Sequence, residues 1–207
     1  MKTLETKLKP KLEEIILLIY KFRFLNRNQI QTLLNHKHHN RINIWLNQLT
    51  EEKYLKRYYS TTFAGEAAYY SLGTVGRKYL KKFKDTKKIK EQLLDRVWSE
   101  HSNSDQFKRN CMLLVDIYLS LTKLTNEVNA KLSFYTKVDL LNMKYMIRPE
   151  PSGYFSIEDS KGATKRYLLD IFDYFIPEKH YERIRKYIYY FCQWPQGPKH
   201  SHEYDRQ

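Results

Sequence analysis

Residues 38–59 carry the pattern that most restricts the fold of this chain: an amphipathic helix that runs into a strand. Apolar side chains recur there at i, i+3, i+4 and i+7, which defines one side of a helix with 3.6 residues per turn. They are Ile42, Trp45, Leu46 and Leu49. The opposite side carries amides, a guanidinium and Ile44, where an ordinary surface helix carries Glu and Lys. Amides and guanidinium groups are the side chains that hydrogen-bond to base edges.

The segments around this helix predict a compact first domain. Residues 10–24 begin with Pro10 and acidic residues, which are helix start signals, and Asn26 or Asn28 is the expected N-cap of a second helix. Two Tyr-rich strands are predicted at residues 54–60 and 67–73, with Gly65 in the turn between them, and a fourth helix follows over residues 74–83. Three helices followed by a hairpin predict a winged helix-turn-helix, whose third helix enters the major groove.

Charge is concentrated in the same part of the chain. The formal net charge is +14, and residues 1–90 hold 20 Lys and Arg against 7 Asp and Glu, whereas residues 91–207 hold 17 against 16. Basic residues clustered in one region are typical of a nucleic-acid-binding module, because neutralised phosphates release counterions. A membrane surface is the less favoured partner, since Glu13 and Glu14 lie beside the apolar residues of the first helix. The longest apolar run is also far too short for a span of roughly 20 residues. We therefore expect a cytoplasmic protein that binds double-stranded DNA.

The sequence divides the predicted DNA-binding residues into two groups. Side chains expected in the groove are Asn40, Arg41, Asn43, Asn47 and Gln48. Side chains expected to contact phosphate are Lys37, Lys53, Lys56 and Arg57. The alternative is that these are ordinary solvated residues, or that the domain binds another protein. The histidines His36, His38 and His39 have no neighbouring acidic or Cys partner, so they are interpreted as additional donors, and no metal site is predicted.

The second half predicts a small α+β domain. Residues 1–84 are assigned to the first domain, residues 85–92 to a basic linker, residues 93–194 to the second domain and residues 195–207 to a flexible tail. A helical period from residue 93 is followed by strands predicted at 131–141, 147–158 and 165–172, with a turn at 160–162. A last helix repeats the apolar spacing through Ile184, Tyr187, Ile188 and Phe191.

Several motifs in their order along the chain resemble the replication-relaxation family, whose members belong to plasmids, phages and other mobile elements. In the first half these are "FRFLNRNQIQTLL", "INIWLNQLTEEKYLKRYY" and "YYSLGTVGRKYL". The last is similar to the family's Leu-Thr-x-x-Gly-x-x-x-Leu pattern, with Gly73 where Thr is usual. In the second half they are "SEHSNSDQF", "IRPEPSGYF" and "YLLDIFDYF". The resemblance implies a winged-helix DNA binder joined to a small α/β domain related to the PD-(D/E)xK nuclease core.

The resemblance also implies where a nuclease site would lie. Glu150 stands where the family carries an acid, and Asp170 matches the second acid, but Phe172 occupies the position of the catalytic Lys. Asp173 adds a carboxylate, and Arg183, Arg185 or Lys186 offers a positive charge from the last helix. In the alternative interpretation, these acids are strand-end residues paired with Arg148, Arg166 or Lys186. A missing Lys favours a non-catalytic domain without cofactor, and Mg²⁺ is expected only if the nuclease hypothesis holds.

Two hypotheses follow from the sequence. The favoured one is sequence-dependent binding of duplex DNA for a mobile element, as a transcriptional regulator or an origin-binding replication factor. Its second domain would form a homodimer or bind a protein partner through aromatics such as Tyr174, Phe175, Tyr187 and Tyr190. The rival is a metal-dependent DNA nuclease or nickase that uses Glu150 and Asp170.

Overall fold

The computed structural model of this chain describes residues 8–59, 67–83, 89–141, 143, 146–148, 150–172 and 177–193. The chain divides into two compact units, Met1–Leu121 and Thr122–Gln207. Within the described residues, none of the helices combines the length and apolar character needed to cross a membrane.

The first unit begins with three helices, α1 (Pro10–Phe22), α2 (Arg27–Leu33) and α3 (His39–Glu51). Pro10 occupies the first turn of α1, where its missing N–H has no intrahelical partner to lose. Asn26 caps α2 as expected: its side chain accepts from the Gln29 N–H at 2.9 Å, and the Gln29 side chain accepts from the Asn26 N–H at 3.1 Å. The three predicted helices are therefore confirmed.

A three-stranded antiparallel sheet completes the fold of this region. Its strands are β1 (Leu25–Asn26), β2 (Leu55–Tyr58) and β3 (Tyr69–Leu72), in the order β1-β3-β2. Leu25 pairs with Tyr70, and Leu55 pairs with Leu72. Helix, strand, two helices and a hairpin in this order form a winged helix-turn-helix. The predicted turn at residues 61–66 lies outside the described residues.

Helices α4 (Thr74–Lys82), α5 (Glu91–Ser99) and α6 (Asp105–Glu127) follow, with a short 3₁₀ helix (Glu100–Ser102) before α6. The core of the first unit consists of aliphatic side chains from α1, β1, α2, α3, α4 and α5. Those with no exposed surface include Ile15, Ile16, Ile19, Leu25, Ile30, Ile42, Leu46, Leu49, Leu80 and Leu94. Burial of such side chains is the main favourable contribution to folding.

The division between the two compact units, after Leu121, lies further along the chain than the domain boundaries predicted from the sequence. The sequence ends the first domain at residue 84 and begins the second at residue 93, but α5 packs against α4 and β3, and its Leu94 and Val97 are buried. Ile89, inside the predicted linker, is buried as well. The Lys-rich segment suggested a solvated connection because it contains few apolar residues. The boundaries at 84/85 and 92/93 remain a prediction about domains.

The second unit contains an antiparallel sheet in the order β4-β5-β6. Its strands are β4 (Lys131–Thr136), β5 (Gly153–Glu158) and β6 (Thr164–Leu169), and α7 (Lys137–Leu140) and α8 (Pro177–Gln193) are its helices. The predicted turn is present, because Asp159 N–H donates to the Ala163 carbonyl at 3.0 Å and Gly162 has φ of 81°. Leu140, Met146 and Tyr154 form its buried cluster.

All three strand predictions in this unit were too long. The strand expected at residues 165–172 ends at Leu169. The strand expected at residues 131–141 ends at Thr136, because the Asp139 carboxylate accepts from the Thr136 N–H at 2.7 Å and starts α7 there. The strand expected from residue 147 begins only at Gly153. The tail at residues 195–207 and Asp173, Tyr174 and Phe175 lie outside the described residues.

Helix α8 has the predicted apolar period, but two of the apolar residues expected on its buried side are exposed. Ile184 and Ile188 are 41% and 58% exposed, whereas Tyr187 is 9% exposed. The interpretation of Tyr187 as a partner-binding aromatic is therefore wrong, because its hydroxyl bonds inward to the Asp170 carboxylate. Tyr190 is only half-buried, and the side chain of Phe191 is outside the described residues.

Two glycines allow α4 to begin directly against β2. A Cβ atom on Gly73 would overlap the carbonyl oxygen of Lys53, and one on Gly76 would overlap that of Tyr54 and lie 2.9 Å from Leu72 Cδ1. Backbone bonds hold the same contact, with the Gly73 N–H donating to the Tyr54 carbonyl at 2.8 Å. The family's Thr at position 73 would not fit this backbone packing.

We predict that Gly76→Ala destabilises the protein by about 1–3 kcal/mol, because the added methyl group overpacks a site enclosed by backbone. An exposed Gly→Ala change in a helix has the opposite sign, with a gain of up to about 1 kcal/mol. Denaturant unfolding measures the difference, and Lys78→Ala, exposed on the same helix, is the control that changes stability by less than about 0.5 kcal/mol. A stabilised Gly76→Ala protein would contradict the packing described here.

Candidate nucleic-acid interface

Helix α3 has one wholly buried side and one wholly polar side apart from a single isoleucine. Ile42, Leu46 and Leu49 are 0% exposed. The exposed side chains opposite them are Asn40, Arg41, Asn43, Ile44 and Asn47. Burial of the apolar stripe fixes the rotation of the helix about its axis, so the amide side faces outward.

Three of the predicted groove residues are exposed and have no bonded partner among the described residues. Within the part of the chain that the structure describes, the side chains of Asn40, Arg41 and Asn43 form no hydrogen bond or ion pair with another residue. All three are exposed and lie in the first half of α3. The first half of a recognition helix is the part that contacts base edges in helix-turn-helix proteins.

The other two predicted groove residues are already hydrogen-bonded within the protein. The Arg57 guanidinium donates to the Asn47 Oδ1 atom, and the Gln48 Nε2 atom donates to the Glu52 carboxylate at 3.0 Å. An Asn that pairs with adenine uses both its oxygen and its nitrogen. The hydrogen bond between Asn47 and Arg57 therefore has to break before Asn47 can pair with adenine. The sequence assigns Asn47 to the groove and Arg57 to phosphate, but the structure joins the two side chains.

Arg57 connects β2 to α3 rather than extending into solvent. It is half-buried, its guanidinium carbon lies 5.5 Å from the centre of the Tyr70 ring, and its Nε atom is buried without a hydrogen-bond partner among the described residues. Burial acts to lower the pKa of Arg57, but hydrogen bonds and charge interactions with Tyr59 and Tyr70 raise it overall. The guanidinium is therefore a fixed positive charge at the edge of α3.

The lysines predicted to contact phosphate are all exposed. Lys37 precedes α3, and Lys53 follows it in a left-handed turn with φ of 60°, where its carbonyl accepts from the Val75 N–H at 3.0 Å. Lys56 lies on β2, with its Nζ atom 5.1 Å from the Tyr58 ring. Positive charge thus lies in the chain just before α3, just after it and on the adjoining strand.

The histidines before α3 pack locally. The His36 ring contacts the Trp45 ring at 5.1 Å, and its Nδ1 atom accepts from the His38 N–H at 3.2 Å. Across the described ranges, no group of three or more His, Cys, Asp or Glu side chains is arranged to hold a metal ion. His36 therefore supports the turn that leads into α3.

In the second unit, the Asp170 carboxylate is surrounded by donors. Its Oδ1 atom accepts from the Ser152 hydroxyl at 2.8 Å and from the Ser152 N–H at 3.2 Å. Its Oδ2 atom accepts from the Tyr187 hydroxyl at 2.7 Å and pairs with the Arg183 Nε atom at 2.5 Å. Burial raises the pKa of the Tyr187 phenol, which remains a donor to Asp170.

Glu150 contacts the Arg183 guanidinium through its main chain, and its carboxylate pairs with a different arginine. Arg183 donates to the main-chain carbonyl of Glu150 at 2.7 Å, while the Glu150 carboxylate pairs with Arg148. Arg148 was one of the partners expected from the sequence, and Arg183 replaces Arg166 or Lys186 as the partner of Asp170. Lys186 is exposed on α8 and forms no ion pair with Glu150 or Asp170 among the described residues.

These residues do not fit a divalent cation in the present arrangement. Mg²⁺ requires free carboxylate oxygens at short distance, and both oxygens of Asp170 are occupied by donors, one of which is a guanidinium. A metal beside Asp170 would have to displace Arg183 or accept strong repulsion from it. Sequence reasoning treated Arg183 as one of several cations on the last helix. Its spacing of four residues from Tyr187 places both side chains on one side of α8, which was the available signal that they act together.

Several solved structures are similar to this chain at low identity. A MepR mutant of S. aureus bound to an oligodeoxyribonucleotide has 18% identity and a TM-score of 0.36 over 58% of this chain and 79% of that one. A ZitR mutant of Lactococcus lactis has 19% identity and a TM-score of 0.34 over 59% and 77%. The adhesin competence repressor AdcR of Streptococcus pyogenes has 16% identity and a TM-score of 0.34 over 59% and 85%. TM-scores this low support no inference about this chain.

The sequence itself identifies the family. No functionally curated protein matches it. Residues 17–133, more than half of the 207 residues, match the replication-relaxation family. That range contains α2, α3 and the three strands of the winged helix. The chain therefore belongs to the replication-relaxation family.

Proposed function

We propose that this protein binds double-stranded DNA in a sequence-dependent manner and serves a mobile element as a transcriptional regulator or an origin-binding factor. The observation that carries the proposal is the outward side of α3, where Asn40, Arg41 and Asn43 are exposed and unbonded within the described residues. The major groove is wide enough for a helix, and each base pair presents a distinct pattern of donors and acceptors there.

Charge supports duplex DNA as the ligand. Lys37, Lys53 and Lys56 are exposed along the segment that contains α3 and β2. Such lysines would position the helix on the phosphates, while the amides and Arg41 supply the preference for certain bases. A phosphate-only interaction would leave the unbonded amides of α3 without a role.

We predict that Arg41→Ala and Lys11→Ala have different effects although each removes one positive charge. Arg41→Ala should lose about 1–3 kcal/mol on the preferred duplex and discriminate less against others, because a base contact is lost. Lys11→Ala, on α1 and paired with Glu14, should change affinity little and leave base preference intact. Selection from a random duplex library followed by fluorescence anisotropy at two salt concentrations measures both. Equal wild-type affinity for every duplex would reject sequence-dependent binding.

The second unit is proposed to form a homodimer through α8. Tyr181, Ile184 and Ile188 lie on one side of α8 at i, i+3 and i+7 and are 67%, 41% and 58% exposed, and Tyr189 beside them is 66% exposed. An antiparallel pair of α8 helices centred on Ile184 would place Glu182 of each copy beside Lys186 of the other. This complementarity favours a second copy of the chain as the occupant.

The exposed apolar area sets the expected strength of this dimer. Four half-exposed side chains offer on the order of 400–500 Å² per copy, against about 800 Å² per partner in a standard stable interface. We therefore expect a dissociation constant in the micromolar range without DNA. A two-fold dimer would bind two half-sites about one helical turn apart or a multiple of it.

We predict that Ile184→Asp combined with Ile188→Asp abolishes self-association, because two charges would be buried in the helix pair. Sedimentation equilibrium over a concentration series should show a monomer–dimer equilibrium for the wild type and a monomer for the double variant. Leu124→Asp, 57% exposed on α6, is the matched control and should still dimerise. A wild-type monomer at all concentrations, or equal disruption by the control, would contradict the proposal.

Asp170 and Arg183 are proposed to stabilise the second unit rather than to catalyse cleavage. We predict that Asp170→Asn lowers the free energy of unfolding by about 2–4 kcal/mol, since it leaves Arg183 and two hydroxyl donors without a charged acceptor. Lys186→Ala, exposed on α8, should change it by less than about 0.5 kcal/mol. Cleavage of DNA with Mg²⁺ or Mn²⁺ that disappears in Asp170→Asn and Glu150→Ala would instead support the nuclease hypothesis.

A further inference from the structure

Ile44 is an apolar side chain in the middle of the polar side of α3. It is 57% exposed, while Ile42, Leu46 and Leu49 of the same helix are 0% exposed. Arg41 precedes it by three residues on the same side. Ile44 is therefore not part of the buried side of α3, and more than half of its surface is available to a ligand.

The major groove contains one apolar group that such a side chain can contact. Thymine carries a 5-methyl group there, whereas the other base edges present hydrogen-bond donors and acceptors. An isoleucine placed against cytosine would bury the N4 amino group without an acceptor, which is unfavourable. An isoleucine placed against the thymine methyl removes apolar surface of both groups from water.

The branched shape of Ile44 suits this contact. A β-branched side chain in a helix has one strongly preferred χ1 rotamer, so it loses little freedom about χ1 on binding. Asn40 and Asn43, which precede it in α3, can pair with adenine, whose partner base is thymine. An adenine contact and a thymine methyl contact can therefore come from the same or neighbouring A·T pairs.

We propose that Ile44 contacts the 5-methyl group of a thymine in the major groove and so selects a T·A base pair at one position of the DNA site. This inference rests on the proposed function, because it requires α3 to lie in the groove. It adds a specificity-determining residue that has no hydrogen-bonding group.

The test uses deoxyuridine, which differs from thymidine only by the absent methyl group. The full-length protein and its Ile44→Ala variant are titrated against the selected duplex and against duplexes with each thymine replaced in turn by deoxyuridine. We expect one replacement to weaken the wild type about three- to tenfold. Ile44→Ala should bind the thymine duplex more weakly by a similar factor and lose nothing further on the replacement.

Leu113→Ala is the matched control, because Leu113 is 47% exposed on α6 and outside α3. It should keep the wild-type affinity and the wild-type sensitivity to deoxyuridine. The inference is overturned if no replacement weakens the wild type, or if Ile44→Ala remains as sensitive as the wild type. If no duplex is bound with sequence preference, the proposed function itself fails. Preferential binding that ignores deoxyuridine rejects only the role of Ile44.

Discussion

The burial of one side of α3 determines what this protein can present to a ligand. Ile42, Leu46 and Leu49 are completely enclosed, so the helix cannot rotate without exposing three large aliphatic side chains to water. Because the helical period is fixed, that constraint places the amides and Arg41 outside. The rest of the first unit supports the arrangement: Asn26 starts α2 at a defined residue, and the glycines before and within α4 let it pack closely on β2.

Features of the first unit that depend on short-range pattern were predictable from the sequence. The helices, the N-cap and the Tyr-rich strands are each indicated by residues that lie close together in the sequence. The bond between Arg57 and Asn47 was not predictable, because it joins side chains ten residues apart on different elements. Strand β4 was predicted too long, since an apolar run does not reveal that Thr136 and Asp139 start a helix inside it.

The second unit illustrates a different limit of sequence reasoning. Apolar spacing located α8 but did not tell which of its sides is covered, and the polar bonds of Arg183 and Tyr187 to Asp170 decide that question. These bonds turn Ile184 and Ile188 outward. Likewise, the resemblance placed Glu150 and Asp170 where a metal site would lie, but the Arg183 guanidinium bonds both the Glu150 carbonyl and the Asp170 carboxylate.

The link between Arg57 and Asn47 has a consequence for any redesign of this protein. A substitution at position 47 releases a half-buried guanidinium on the adjoining strand, so it changes two elements at once. The exposed side chains at positions 40, 41, 43 and 44 form no such internal bond among the described residues, so exchanging them breaks no hydrogen bond or ion pair with another element. Altering the ligand preference of the helix is therefore a problem that can be confined to its first half.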